Sequence, residues 1–215
     1  MTTIITVGGQ KGGTGKSNIV CHLSAALANN GYSVTILDAD KQRTAADWCF
    51  IRETERKDRK AIDCIQSYGD ITNTIYDITS DYCIIDTAGH DSEELRCALI
   101  ATKLFISPFN ASVSALRTLP AIVDVISAAR KFNPPLIALA VLSIAPTNVL
   151  MNNNALAKQL FSEYPELTLC ESIIYNRAVY DNCMEDGLGV CEGKGGSANT
   201  ARQEIEALMQ EVINA

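Results

Sequence analysis

Three groups of residues in this sequence carry chemistry-bearing side chains at telling spacings. The first is Val7 to Ser17, VGGQKGGTGKS, a Gly-rich run with two lysines and a hydroxyl. It follows the apolar run Ile4-Ile5-Thr6-Val7 and precedes the amphipathic segment Asn18–Asn29, so it reads as a loop between a strand and a helix. Such a loop turns several backbone N–H groups toward an anion. Gly12, Gly13, Thr14 and Gly15 would form the cradle, and Asn18 would add an amide donor near the α-phosphate. Lys16 would set its ammonium on the β- and γ-phosphates, and the Ser17 hydroxyl would ligate Mg²⁺. The strict pattern G-x-x-x-x-G-K-[ST] fails at one position, where Gln10 replaces the first glycine and a second lysine, Lys11, follows. A dinucleotide fingerprint is disfavoured, because Gly13-Thr14-Gly15 is followed by Asn18 where a last glycine belongs. The loop is read as a nucleoside triphosphate site.

The second and third groups are acids at strand ends. Asp38-Ala39-Asp40 closes the strand Tyr32–Leu37, and Asp86 closes Tyr82-Cys83-Ile84-Ile85. In an open parallel sheet ligands bind at the carboxyl ends of the strands, so both groups should meet the loop. Asp86 then suits the Walker-B task of holding Mg²⁺ through water. Asp38 and Asp40 are two apart and share a side of an extended backbone, so one faces the metal shell while the other positions the attacking water. With no Gln or Glu at the Asp86 strand end, hydrolysis is expected to be slow and completed by a partner.

The elements that must position these groups follow from periodicity. The chain reads as one α/β domain, a doubly wound, mainly parallel sheet with helices on both faces. After the first two strands a helix is expected over 43–60, a weak strand over Ala61–Ile65 and a polar helix over Gly69–Thr79. Glu93–Thr102 is a helix, and Lys103–Pro108 is a strand closed by proline. Ser114–Phe132 is a longer helix with Pro120 in its first turns, and Leu136–Ile144 is an apolar strand typical of a parallel-sheet interior. A helix over Val149–Tyr164, an edge strand Thr168–Ile174, a loop and a helix Ala198–Asn214 complete the chain.

Composition bounds the answer. With 215 residues, 47% hydrophobic and 20% charged, the chain suits one globular domain and not wholesale disorder. It has no apolar run long enough to span a bilayer, and its N-terminus enters a strand with no basic region or cleavage site, which argues against a signal peptide. The eight cysteines include no C-x-x-C pair, which favours reduced thiols in a cytoplasmic protein. Net charge is −7, about −6 of it in residues 133–215, where four basic residues face ten acids. A DNA-binding surface would have to come from local patches such as Arg52, Arg56, Lys57, Arg59 and Lys60, or Arg177.

Taken together, these residues resemble the ParA/MinD group of deviant-Walker ATPases, and within it the small single-domain ParA proteins of ParF type. Lys11-Gly12-Gly13-Thr14-Gly15-Lys16-Ser17 is similar to K-G-G-x-G-K-[ST]. Asp38-Ala39-Asp40-Lys41-Gln42 resembles D-x-D-P-Q, and Ile84-Ile85-Asp86-Thr87-Ala88-Gly89 the hydrophobic strand ending in D-T/G. Trp48 and Asn176-Arg177-Ala178-Val179-Tyr180 before Gly187-Leu188-Gly189-Val190 extend the likeness nearly end to end. Departures are Asn18 for the second Thr, Lys41 for Pro, and Ser143 for Asn ahead of the Pro146 loop.

The resemblance implies an ATP-sandwich homodimer in which Lys11 reaches the phosphates of the other subunit. Lys16 and Ser17 bind phosphate and Mg²⁺, Asp40 orients water, and Asp38 and Asp86 support the metal. Pro146 and Asn148 are candidates for adenine recognition. It further implies a cytoplasmic switch that partitions or positions a plasmid, chromosome region or protein assembly. Such a switch binds DNA non-specifically, which would associate it with the nucleoid, and a ParB-like or cargo-adaptor partner stimulates its ATP hydrolysis. A MinD-like membrane-associated positioning ATPase would need a basic amphipathic C-terminal helix, whereas Ala201–Val212 is acidic. A metabolic P-loop enzyme of the same fold would lack Lys11 together with the two aspartates. A cluster-bearing reductase would need paired cysteines, and Cys97 has no such partner before Cys170; a tyrosine kinase would need a C-terminal tyrosine cluster.

Overall fold

The computed structural model describes residues 2–110, 117–148 and 154–215. The strands are β1 (Thr3–Val7), β2 (Val34–Asp38), β3 (Asp63–Gln66), β4 (Tyr82–Asp86), β5 (Leu104–Asn110), β6 (Ile137–Ala145) and β7 (Thr168–Tyr175). They form one sheet in the order β3-β2-β4-β1-β5-β6-β7, and every described pairing is parallel. The described helices are α1 (Lys16–Asn29), α2 (Thr44–Glu55), α3 (Thr72–Tyr76), α4 (Glu93–Ala101), α5 (Leu119–Arg130), α6 (Asn154–Phe161), α7 (Ala178–Glu185) and α8 (Gly196–Asn214), with a 3₁₀ turn at Val190–Glu192.

Strand residues alternate between two cores, as the two-residue period demands. Ile5, Val7, Ile36, Ile84, Leu104, Ile106, Leu139 and Val141 pack under α1, α2, α7 and α8. Phe105, Phe109, Ala138, Ala140 and Leu142 face α4, α5 and α6 on the other side, and Leu37, Cys83 and Ile85 face α3 and α4. Helices therefore cover both faces, as expected for a doubly wound sheet.

Several local expectations are corrected. The helix over 43–60 ends at Glu55, and Arg56–Lys60 runs on as a turn. Pro108 does not close its strand, which continues to Asn110. The Gly8 N–H donates to the Ile106 carbonyl at 3.0 Å, so Ile106 faces β1, and Pro108 two residues on faces the same way. By then β1 has turned into the loop, so the N–H that proline lacks has no ladder partner to lose. The expected loop before the last helix contains α7 and the 3₁₀ turn. Within the two long expected helices, Ser114–Leu116 and Val149–Asn153 lie outside the described residues.

A buried ion pair ties the C-terminal segment to α2. Arg52 donates to both Glu192 carboxylate oxygens at 2.8 Å, to the Gly187 carbonyl at 3.1 Å and to the Lys60 carbonyl at 3.0 Å, and it stacks on Trp48. Burial alone would raise the Glu192 carboxyl, but Arg52 and the Gly189 N–H hold it below the ordinary carboxylate range. Nearby, the Val190 N–H donates to Nδ1 of His22 at 3.2 Å, and burial lowers that imidazole to about 4, so it packs neutral. The basic patch expected from Arg52 and Arg177 is thereby corrected. Arg52 is inside the protein, and Arg177 is paired with Glu204 at 2.8 Å, because each guanidinium finds a fixed carboxylate that the linear sequence places far away. Breaking a buried pair leaves an uncompensated charge, so Arg52→Met should lower stability by about 3–5 kcal/mol in urea unfolding. Lys57→Met, on the exposed turn, should shift it by less than about 0.5 kcal/mol.

Candidate functional site

The register of three strands assembles the site. Val7 pairs with Asp86, and Asp86 pairs with Asp38, so the loop after β1 and both acids emerge from one edge of the sheet. Gly15, at φ 83°, caps α1 from the left-handed region, and the first intrahelical bond runs from the Ile19 N–H to the Gly15 carbonyl at 2.9 Å. The N–H groups of Lys16, Ser17 and Asn18 are therefore unused by the helix and free to hold an anion. A Cβ at Gly15 would lie 2.8 Å from the Ser143 Oγ, and one at Gly89 would lie 2.8 Å from the Gly12 backbone. Gly8 is equally confined, its missing Cβ facing Leu95 and Thr87 at 2.8 Å. The loop is thus held by contacts that only glycine allows.

The two lysines divide. Lys16 is buried and reaches back across the loop, donating to the Lys11 carbonyl at 3.3 Å; burial lowers its ammonium against the pull of Asp86 and Asp40. Lys11 itself is exposed on the outer lip, beside exposed Gly12 and Gly13.

Among the acids, Asp86 is fully buried, and neither of its carboxylate oxygens has a hydrogen-bond partner. Burial pushes it up to about 7, opposed by the neighbouring Ser17 hydroxyl and Lys16. Two orphaned carboxylate oxygens beside a hydroxyl form a hard-oxygen donor set, which suits Mg²⁺. No group of three or more His, Cys, Asp or Glu that could hold a metal exists among the described residues, so the remaining ligands would be water and phosphate oxygens. Asp38 is engaged differently. Its Oδ1 accepts the Asp40 N–H at 3.0 Å and its Oδ2 the Ala46 N–H at 2.8 Å. Asp40 lies beyond the strand end in a turn, where it is partly exposed and accepts the Gln42 N–H at 2.9 Å. The expectation that the two aspartates share a side of an extended strand is corrected: Asp38 folds the backbone that carries Asp40.

Beside Gly13, Gly15 and Asn18 opens a cavity of about 340 Å³, walled by Ser143 and Ile144 of β6 and by Tyr175, Asn176, Arg177 and Asp181. Arg177 is fixed there by Glu204 and stacks over the Tyr175 ring. Ile144 adopts φ 52°, rare for a β-branched residue, where β6 slips register against β7. Pro146 and Asn148 follow on the same strand end, half-buried and exposed respectively. Sequence reasoning assigned no nucleotide role to Ser143, Ile144, Tyr175, Asn176, Arg177 or Asp181 of this wall. Its one local signal was the departure at Ser143, because the contact with Gly15 crosses from β6 to the loop after β1 with β5 between them.

Comparison with known proteins agrees with this geometry. The family model described as the CobQ/CobB/MinD/ParA nucleotide binding domain matches residues 5–187, and the chain belongs to that family of P-loop ATPases. The Maintenance of carboxysome distribution protein A of Halothiobacillus neapolitanus is 26% identical over 215 residues, covering 97% of this chain and 95% of its own. A plasmid partition protein of Borrelia burgdorferi B31 bound to AMPPNP superposes with a TM-score of 0.72 at 16% identity, over 98% of this chain and 100% of that one. The septum site-determining protein MinD of Pyrococcus horikoshii, complexed with Mg-ADP, superposes with a TM-score of 0.74 at 16% identity, over 99% and 96%. The last two likenesses show the fold.

Two outcomes test the site. Gly15→Ala forces a side chain into a left-handed backbone and onto Ser143, and should weaken binding of a fluorescent nucleotide by about tenfold or more. A cation binding at Asp86 must displace the proton held there below about pH 7. Affinity for Mg²⁺-nucleotide should therefore fall as pH falls, approaching about tenfold per unit well below 7, and level off above it. The same raised value acts oppositely on the free chain, whose stability from this group is fully present below the unfolded aspartate range and lost as pH rises through 7. Asp86→Asn should flatten both dependences.

Proposed function

We propose that this chain is an ATP-dependent dimerising switch that partitions or positions a cargo, and that its weak ATPase is completed by a partner protein. The observation that carries this reading is the division of labour between the lysines. Lys16 is committed to its own loop, while Lys11 sits exposed on the lip with nothing in the described structure holding its ammonium. A lysine so placed suits phosphates clamped between two subunits, where its charge is shielded from water and dimerisation is linked to the γ-phosphate.

Within one subunit the N–H groups at the start of α1 and the loop bind the phosphates, and Ser17 with Asp86 would hold Mg²⁺. The cation would neutralise charge on the β- and γ-phosphates. Asp38 acts as the positioning residue for Asp40, and the partly exposed Asp40 carboxylate orients the attacking water. Adenine fits the cavity beside Gly13 and Asn18, with Ser143, Ile144, Asn176 and Asp181 joining Pro146 and Asn148 as its contacts. One carboxylate, without a strong base, suits slow turnover that waits for a second protein.

The carboxysome-distribution and plasmid-partition relatives support a cargo-positioning role. Non-specific DNA binding, if carried by the dimer, must use residues other than Arg52 and Arg177; Lys57 and Lys60 remain exposed. The membrane-positioning reading is disfavoured by α8. Its apolar face, Ala201, Ile205, Leu208, Met209 and Val212, is buried in the core, and its exposed positions Gln203, Glu206, Ala207 and Gln210 include no basic residue. No helix among the described residues is long and apolar enough to cross a membrane.

Sedimentation velocity with ATP, ADP or no nucleotide, with and without plain duplex DNA, tests the proposal. A dimer should form with ATP alone, and only that dimer should bind DNA, more weakly as salt rises. An ATP-saturated monomer would overturn the reading. Lys16→Ala should abolish nucleotide binding and Lys11→Ala should abolish dimerisation, while Asp40→Ala should trap the ATP dimer with little change in nucleotide affinity.

A further inference from the structure

A cavity of about 550 Å³ opens between α2 and the edge strand β3, away from the phosphate loop. Arg56, Lys57, Arg59 and Lys60 line it with Glu53 and Asp63; Arg52 is neutralised by Glu192, Arg56 pairs with Asp186 and Arg59 with Asp58, which leaves Lys57 and Lys60 as its exposed cations outside any ion pair among the described residues. Two thiols face the same space, Cys49 from α2 and Cys64 from β3. They are neighbours: a shared hydrogen bond, with burial, pushes the Cys49 thiol up, and that same bond draws Cys64 down. Cys64 is half-buried, whereas Cys49 is buried. The other six cysteines are all raised, burial being the largest cause in each, and of the two thiols on the cavity Cys64 is the one a reagent can reach.

We propose that Cys49 and Cys64 form a reversible dithiol site that exchanges with an anionic low-molecular-weight disulfide of the glutathione class and closes into a Cys49–Cys64 disulfide. The Cys64 thiolate attacks one sulfur of the reagent, whose S–S bond breaks and whose first half leaves as a thiolate that takes up the Cys64 proton. Cys49 then attacks the Cys64 sulfur, a Cys49–Cys64 bond forms, and the second half leaves as a thiol with the Cys49 proton. Two protein thiols are oxidised by two electrons, and one external disulfide is reduced to two thiols. Lys57 and Lys60 at the rim can pair with the reagent's carboxylates, and the half-buried sulfur is the one it meets first.

The bond has a structural consequence at the other end of α2. Asp38 of β2 touches both elements: it accepts the Ala46 N–H at the start of α2 and pairs in register with Gln66 of the neighbouring β3. Joining Cys49 to Cys64 closes a covalent frame around Asp38 and so restrains the turn that carries Asp40. The site stands apart from the ATP reading, since its formation needs no nucleotide.

Peptide mapping after treating the folded, full chain with oxidised glutathione and alkylating the remaining thiols tests the site. The expected product is a Cys49–Cys64 disulfide with the other six cysteines alkylated, reversed by dithiothreitol. Cys49→Ser should accumulate glutathione on Cys64. Cys64→Ser should react about tenfold more slowly or less, with circular dichroism confirming that both variants fold. Glutathione that stays on Cys64 of the unaltered chain, or reaction first at half-buried Cys97 or Cys191, would overturn the proposal, as would no reaction at all. Amide exchange over Asp40–Ala46 should slow about fivefold or more in the oxidised chain. Unchanged exchange there would overturn the coupling to Asp38.

Discussion

The parallel ladder β2-β4-β1 is the constraint on which the rest of the molecule depends. Its register sets Asp38 beside Asp86 and Asp86 beside Val7, so two carboxylates and a phosphate loop share one edge of the sheet. Bringing two acids into a buried strand end is costly, and the Asp86 carboxyl responds by holding a proton to about pH 7. A cation arriving with nucleotide would have to displace that proton to reach the two orphaned oxygens. Burial raises Asp38 as well, but the two backbone N–H groups it accepts oppose that rise and make it the hinge pin of the Asp40 turn.

Around this ladder, close backbone approach does the positioning. Gly12 touches Gly89, Gly15 touches Ser143, and Gly8 is enclosed by Leu95, Thr87 and Phe105. These contacts join the loop to the segment after β4, to β5 and β6 and to α4, so the loop's shape depends on several elements of the sheet and not on its own sequence alone. The irregular end of β6, with Ile144 in a left-handed conformation, belongs to the same set, since it brings Ser143 onto Gly15 and forms one wall of the neighbouring cavity. Strain of this kind persists where surrounding structure over-determines it.

The C-terminal quarter serves the core more than the surface. Arg52, Glu192 and Trp48 lock the 3₁₀ turn to α2, and Glu204 holds Arg177 and Tyr180 in place. Acidic residues that looked like a repulsive surface are partly internal partners of basic ones. This removes two arginines from any DNA-binding patch while making the net negative charge less of an obstacle than a count implies. The cavity between α2 and β3 arises from the same arrangement, because Arg52 turns inward and leaves Cys49 and Cys64 facing the space beneath the charged turn.

The sequence by itself determined the parts that rest on local spacing. A Gly-rich loop between an apolar strand and an amphipathic helix, and acids directly after apolar runs, specify a phosphate site at the strand ends of a parallel sheet, because those signals lie within a few residues of one another. The two faces of helices followed from the same periodicity. Tertiary structure alone decided what depends on partners distant along the chain. Glu192 lies 140 positions from Arg52, so the sequence showed a basic stretch where the fold has a buried ion pair. Pro108 looked like a strand end, yet it is tolerated inside β5 because β1 has already left its side of the ladder. Asp38 and Asp40 looked equivalent until the Ala46 N–H claimed one of them. Hydrogen-bond demand in a buried place is satisfied by whichever group the topology brings near, and that choice is written in the packing, not in the spacing.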